Sequence, residues 1–275
     1  MEKPVGQGTA AGARAGLIGF PRHGSSGALN AITDVPGVQV GMRTLIAGDG
    51  PLRVGHGPVR TGVTAILPRG RSGVGDGCAA GVHVLNGNGE MTGTSRLVPF
   101  AGATYTLGVL VQANFGARPE LTLAGVPVGR LLGDDDRVPG VALPPGAGSV
   151  IAIVATDAPL LPGQCAALAR RVPLGLARTG TSGSHFSGDL FLAFSTANPG
   201  VLASRYPDGS TERVEQLGFI PWGHLDAFYV ACVQAVEEAV VNALVAGRGM
   251  TGRDGHHVPG LPHARVAELL RGAAG

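Results

Sequence analysis

From Ile32 onward the chain is a succession of short apolar runs, each bounded by glycine, proline or aspartate. Val38-Gln39-Val40, residues 62–67 (GVTAIL, before Pro68), residues 81–85 (GVHVL) and residues 105–113 (YTLGVLVQA) each read as strands. Residues 149–156 (SVIAIVAT) are apolar without alternation, the pattern of a strand covered on both faces. Residues 189–196 (DLFLAFST) predict a further strand after a Gly/Ser loop. Residues 125–129 (GVPVG) predict a short edge piece, because Pro127 cannot donate to a ladder. Two helices stand out. One is N-capped by Asp157, has Pro159 and Pro162 in its entry turn, and runs to Arg171. The longer spans about Leu225 to Ala246 and stops at Gly247. On it Ala231, Val233, Val236, Val240, Leu244 and Val245 oppose Gln234, Glu237, Glu238 and Asn242. The strands are clustered, so the pattern predicts an α+β protein with helices covering a mainly antiparallel sheet. Residues 133–148 (GDDDRVPGVALPPGAG) predict an exposed loop. Residues 1–29 are small, polar and glycine-rich and predict a flexible N-terminal arm, which leaves 30–275 as a single domain.

Composition narrows the function. Gly (47) and Pro (20) are abundant among 275 residues, yet 44% are hydrophobic and only 15% charged, so burial offsets the entropy of ordering and the chain folds. A net charge of +2, with no Lys/Arg cluster and 4% aromatics, gives no footprint for nucleic acid. No uninterrupted apolar segment reaches bilayer-spanning length, and the first twenty residues lack a signal-peptide core, so a soluble cytoplasmic protein with no membrane partner is expected. Lys3 is the only lysine, which removes Ser-Lys dyads, Schiff bases and P-loops. Cys78, Cys165 and Cys232 are far apart and odd in number, which predicts reduced, mostly buried thiols.

Familiar motifs are absent or weak. Residues 70–77 (GRSGVGDG) lack the third glycine of a dinucleotide loop, the adjacent pair His256-His257 does not share a helix face, and no GxSxG elbow occurs. Ser149 is different: it joins a glycine-rich loop to the most apolar strand. If the chain is cut between Gly148 and Ser149, the hydroxyl gains a neighbouring α-amine of pKa roughly 7.7–8.0, able to act as general base. Glycine before the cut leaves the backbone free for the strained turn that an N-to-O acyl shift needs. By spacing alone, Ser149 is either this nucleophile or simply the first residue of a strand. Ser187 and Asp189 open the next strand, and alternation points them to one side. They serve either to orient the nucleophile or to satisfy loop amides.

Eight collinear runs resemble the DmpA family, the P1 or S58 peptidases. They are ITDVPGVQVG (32–41), VRTGVTAILPRG (59–70), GVHVLNGNGEMTGT (81–94), TLGVLVQANFG (106–116), GSVIAIVATDAPLLP (148–162), LARRVPLGLARTG (168–180), SGDLFLAFSTAN (187–198) and NALVAGRGMTGRDGH (242–256). That family comprises L-aminopeptidase/D-esterases, β-peptidyl aminopeptidases and nylon-oligomer hydrolases. The resemblance implies an αββα sandwich of the DmpA/ornithine acetyltransferase type, similar to the Ntn hydrolases, and self-cleavage into 1–148 and 149–275. It implies Ser149 as nucleophile, Gly148 before the cut, Ser187 and Asp189 as the supporting pair, and Asn114 as oxyanion donor. It further implies hydrolysis of small peptide, amide or ester substrates without metal or organic cofactor, by a homo-oligomer, a tetramer of processed subunits. This chain departs from the family at one place. Relatives carry a long segment, with an active-site tyrosine, where Gly93-Thr94 here passes directly to Ser95-Arg96. Of the three tyrosines, Tyr105 belongs to a strand that also begins with tyrosine in relatives, so it is no replacement. The alternative reading is therefore a catalytically impaired member acting as a binding or scaffold protein. Acyl transfer to an amine, as in ornithine acetyltransferases, is a third reading, weakened because their nucleophile is threonine.

Overall fold

In the computed structural model, which describes residues 14–84, 91–133, 148–203 and 214–273, a five-stranded sheet carries the molecule. Its strands are β3 (Ala79–Val84), β4 (Met91–Phe100), β5 (Ala103–Asn114), β6 (Gly148–Thr156) and β7 (Ser187–Ser195), in the order β3-β7-β6-β5-β4. The central β6–β7 pair is parallel and the other pairs are antiparallel. Two further strands, β1 (Gln39–Ala47) and β2 (Val59–Leu67), form a separate antiparallel ribbon.

The continuous apolar run in β6 follows from its two partners. Val150, Ala152 and Val154 face the helices, among Leu107, Val109 and Val111 of β5 and Phe191 and Ala193 of β7. Ile153 and Ala155 face the other way, against Leu110, Phe194 and the ribbon residues Val40 and Ile66. The helix layer is α2 (Pro162–Ala169), α3 (Val172–Ala177) and α4 (Asp226–Ala246). α2 lies so close to β3 that a Cβ on Gly81 would stand 2.2 Å from the Ala166 nitrogen, so only glycine fits there. The layers make an α+β sandwich: helices, the five-stranded sheet, then the ribbon. α1 (Val128–Leu131) and α5 (His263–Ala273) close one end of it.

Several expectations are corrected. The supposed helix cap Asp157 instead accepts the Thr106 amide proton at 2.7 Å, which pins the end of β6 to β5. α2 begins later, where the Gln164 side chain reaches back to accept the Leu161 amide at 2.9 Å. Residues 125–129 form no edge strand: a bridge between Leu123 and Val126 leads into α1. The expected loose arm is docked from residue 14 onward, because Ala15, Ile18 and Phe20 are buried against Val241, Val245 and Val266. That docking covers the polar stripe of α4. Asn242 accepts the Ala15 amide at 2.7 Å, and Glu238 accepts from Asn30 and from buried Arg96, each at 2.6 Å. By length and composition α4 is apolar enough to cross a bilayer, although Glu237 and Glu238 interrupt it, and 67% of its most apolar 18-residue window is buried inside this molecule. The loop predicted over 133–148 lies almost wholly outside the described residues.

Candidate active site

The residues singled out in the sequence converge on the point where β5, β6 and β7 meet. Ser149 stands second in β6, directly opposite Asn114, the last residue of β5. The next pairs along, Gln112 with Ile151 and Leu110 with Ile153, lie on the ribbon side of the sheet. Two-residue alternation therefore puts the side chains of Ser149 and Asn114 on that same side. Ser149 is buried, whereas Asn114 is exposed.

The Ser149 hydroxyl donates to the carbonyl oxygen of Gly148, which belongs to the peptide bond between those two residues. At Gly148 the structure leaves no room for a side chain. Its φ is not in the left-handed region. A Cβ there would stand 2.8 Å from the Asn114 carbonyl oxygen and 3.0 Å from the Phe115 Cα, so β5 approaches too closely for a side chain.

Ser187 and Asp189 do share a side, as alternation predicts, and the Ser187 hydroxyl donates to the Asp189 carboxylate at 2.9 Å. Both are buried. Their side is that of Phe191 and Ala193, facing the helices, so they lie across the sheet from the Ser149 hydroxyl. The parallel register nevertheless brings them close, pairing Ser187 with Gly148 and Asp189 with Val150. They bracket the Gly148–Ser149 bond from the neighbouring strand.

Two hollows flank this point. An apolar crevice of about 290 Å³ runs along the ribbon side, walled by Ile151, Ile153, Leu192 and Phe194 of the sheet and Thr64 and Ile66 of β2. No local pattern in β2 marks it as a border of the site, since its packing on the sheet is a long-range contact. A larger cavity of about 480 Å³ opens beside Asn114 toward the end of α4, with Phe115, Leu244 and Leu261 among its walls and Arg118 and Arg248 at its polar positions. Its size lies within the range of ordinary small-molecule sites, about 300–1,000 Å³.

The thiols stand apart from this chemistry. Cys165 and Cys232 are buried under the sheet, and desolvation pushes both up to about 12. Cys78 is half-buried and also raised by desolvation, an effect that neighbouring Arg69 opposes. Among the described residues, no three His, Cys, Asp or Glu side chains gather as a metal site would require.

Comparison with known proteins gives a consistent outcome. The pattern of Peptidase family S58 matches residues 30–100 and 93–258, two pieces that overlap within β4. Beta-peptidyl aminopeptidase BapA of Sphingosinicella microcystinivorans is 34% identical, over 97% of this chain and 94% of its own. That alignment runs over 385 positions against 275 residues here, so at least 110 positions have no counterpart in this chain. The PH0078 protein of Pyrococcus horikoshii OT3 superposes with a TM-score of 0.84 at 30% identity, covering 95% of this chain and 99% of that one. The L-aminopeptidase D-Ala-esterase/amidase of Ochrobactrum anthropi, a variant of the Ntn hydrolase fold, superposes with a TM-score of 0.82 at 31% identity, with the same coverage.

Proposed function

The chain belongs to peptidase family S58, and from that membership we propose that it is a self-processing serine aminopeptidase acting on short peptides, amides or esters. The observation that carries the reading is the Ser149 hydroxyl resting on the Gly148 carbonyl, with Asn114 as its cross-strand partner. In processing, the Ser149 oxygen attacks the Gly148 carbonyl carbon and the hydroxyl proton passes to the Ser149 nitrogen as the C–N bond breaks. Water hydrolyses the resulting ester, freeing a carboxylate on Gly148 and returning the hydroxyl of Ser149 beside a new α-amine. In turnover that amine takes the hydroxyl proton, the oxygen attacks the substrate carbonyl, and the leaving amine departs with that proton; water then hydrolyses the acyl-enzyme ester, releasing the acid and restoring the Ser149 hydroxyl. Asn114 donates to the oxyanion, a role worth on the order of 3 kcal/mol in serine hydrolases. Ser187 and Asp189, bracketing the new N-terminus, hold its amine in place.

The processed subunits form a homo-oligomer, a tetramer as the family resemblance implies, and three unpaired cysteines suit a reducing, cytoplasmic compartment. The test is intact mass spectrometry of the purified protein together with release of nitroaniline from aminoacyl-nitroanilides. Two fragments, 1–148 and 149–275, with turnover support the reading. A single uncut chain without turnover favours the second reading, a catalytically impaired binding protein, for which the 110 or more unmatched positions speak.

A further inference from the structure

The cavity of about 480 Å³ beside Asn114 combines apolar walls with charge of one sign. Phe115, Leu121, Leu132, Val240, Leu244 and Leu261 make the walls apolar. The only charged side chains among its described lining residues are the guanidiniums of Arg118 and Arg248. Glu120, beside Gly116, does not line it: its carboxylate accepts the Ala117 amide at 3.0 Å and the Ser182 hydroxyl at 3.3 Å. Leu244 and Gly247, at the C-terminal end of α4, border the cavity. A helix end there contributes only about half a negative charge, so two full positive charges outweigh it. Arg248 is exposed and has no ion-pair partner among the described residues.

This cavity adjoins the reacting point. Asn114 and Phe115 belong to its walls, and the backbone of Phe115 lies against Gly148. A short peptide cleaved by an aminopeptidase has two ends of opposite charge. Its acyl residue carries a free ammonium, and its leaving part ends in a carboxylate. Two guanidiniums repel the first and attract the second. The apolar crevice on the Ser149 side of the sheet has no charged wall, so it imposes no such repulsion on an ammonium.

We propose that the cavity beside Asn114 binds the leaving part of the substrate, an apolar residue ending in a free carboxylate, and that Arg248 holds that carboxylate. The direction in which the peptide lies rests on the aminopeptidase reading above; the affinity of the cavity for an apolar carboxylate does not. The favoured substrates are then short peptides with a free C-terminus. Their C-terminal amides and the nitroanilides follow behind, because the leaving groups of these bring no carboxylate to Arg248. A carboxylate held equally in the ground state and the transition state lowers KM and leaves kcat alone.

The experiment compares two peptides that differ only at the far end. An acyl residue taken from a nitroanilide that the enzyme turns over is joined to leucine or to leucinamide, and kcat and KM are measured for each. The wild type is expected to show a KM about tenfold lower for the acid, at similar kcat. The gap should narrow as salt is raised, since Arg248 is exposed. Arg248→Met should close the gap by raising KM for the acid, and Arg248→Lys should keep part of it. A merely structural role for Arg248 would alter acid and amide alike. Calorimetry with N-acetylleucine supplies a readout without turnover, and its binding should weaken about tenfold in Arg248→Met. Equal KM for acid and amide overturns the proposal, while the turnover itself upholds the peptidase reading. Should no nitroanilide be turned over, that reading fails and calorimetry alone decides. N-acetylleucine held through Arg248 then supports the site, and binding indifferent to Arg248, or none, overturns it.

Discussion

Asn114 and Ser149 face one another across β5 and β6, one exposed and one buried, on the same side of the sheet. The pairing puts both residues in regular strand geometry at the end of β5 and the start of β6. Ser149→Ala is expected to abolish both processing and turnover, leaving one chain by mass spectrometry. Asn114→Ala should lower kcat by on the order of a hundredfold or more with KM little changed, since an oxyanion donor acts chiefly in the transition state.

Asp189 tests the role of the bracketing pair. A carboxylate near the new α-amine favours its protonated form and raises its pKa, and the amine must be neutral to accept a proton. Asp189→Asn should therefore move the rising limb of the pH–rate profile to lower pH, even as it lowers the maximum rate. Asparagine can still accept the Ser187 hydroxyl. An unmoved limb with a lowered melting temperature would restrict Asp189 to that hydrogen bond.

Arg96 and Glu238 form a buried ion pair at 2.6 Å, with side chains only 3% and 4% exposed. Removing one partner strands the other's charge. Arg96→Met is expected to destabilise the protein by about 3–5 kcal/mol, whereas the double variant with Glu238→Met should recover most of the loss. Denaturant unfolding of the two variants measures the difference.

Asp157 is held above the usual carboxylate range, because partial burial outweighs the Thr106 amide it accepts. A carboxyl raised on folding contributes stability at low pH, which is lost as pH rises through its folded value. Asp157→Asn keeps the acceptor and cannot ionise. Its melting temperature relative to wild type should be higher at neutral pH than below pH 3.8, the group's ordinary value. A constant difference across that range would contradict the burial argument.

How much of this was legible in the chain depends on the range of the contacts involved. β5, β6, β7 and α4 are visible as apolar runs because burial acts on most of their residues. The common side of Ser187 and Asp189 is likewise local, a matter of counting by two. Which side that is relative to Ser149 depends on the β6–β7 register, and no local pattern encodes it. Asp157 misled for a similar reason: its side chain has the chemistry of a cap, but its acceptor is taken by a strand fifty-one residues away. The N-terminal residues misled through composition, since glycines around Ala15, Ile18 and Phe20 hide three anchors that matter only once α4 and α5 are in place.

The strand order has a further consequence for a chain cut after Gly148. β6 and β7, from the second fragment, lie between β3 and β5 of the first. α4 of the second is bonded through Glu238 and Asn242 to Arg96, Asn30 and Ala15 of the first. Each fragment thus supplies the inner partners of the other, and neither has a complete sheet alone. The two pieces should co-elute after processing, be retrieved together by a tag on either one, and melt in a single transition. They should exchange with labelled fragments from another molecule no faster than the whole protein unfolds.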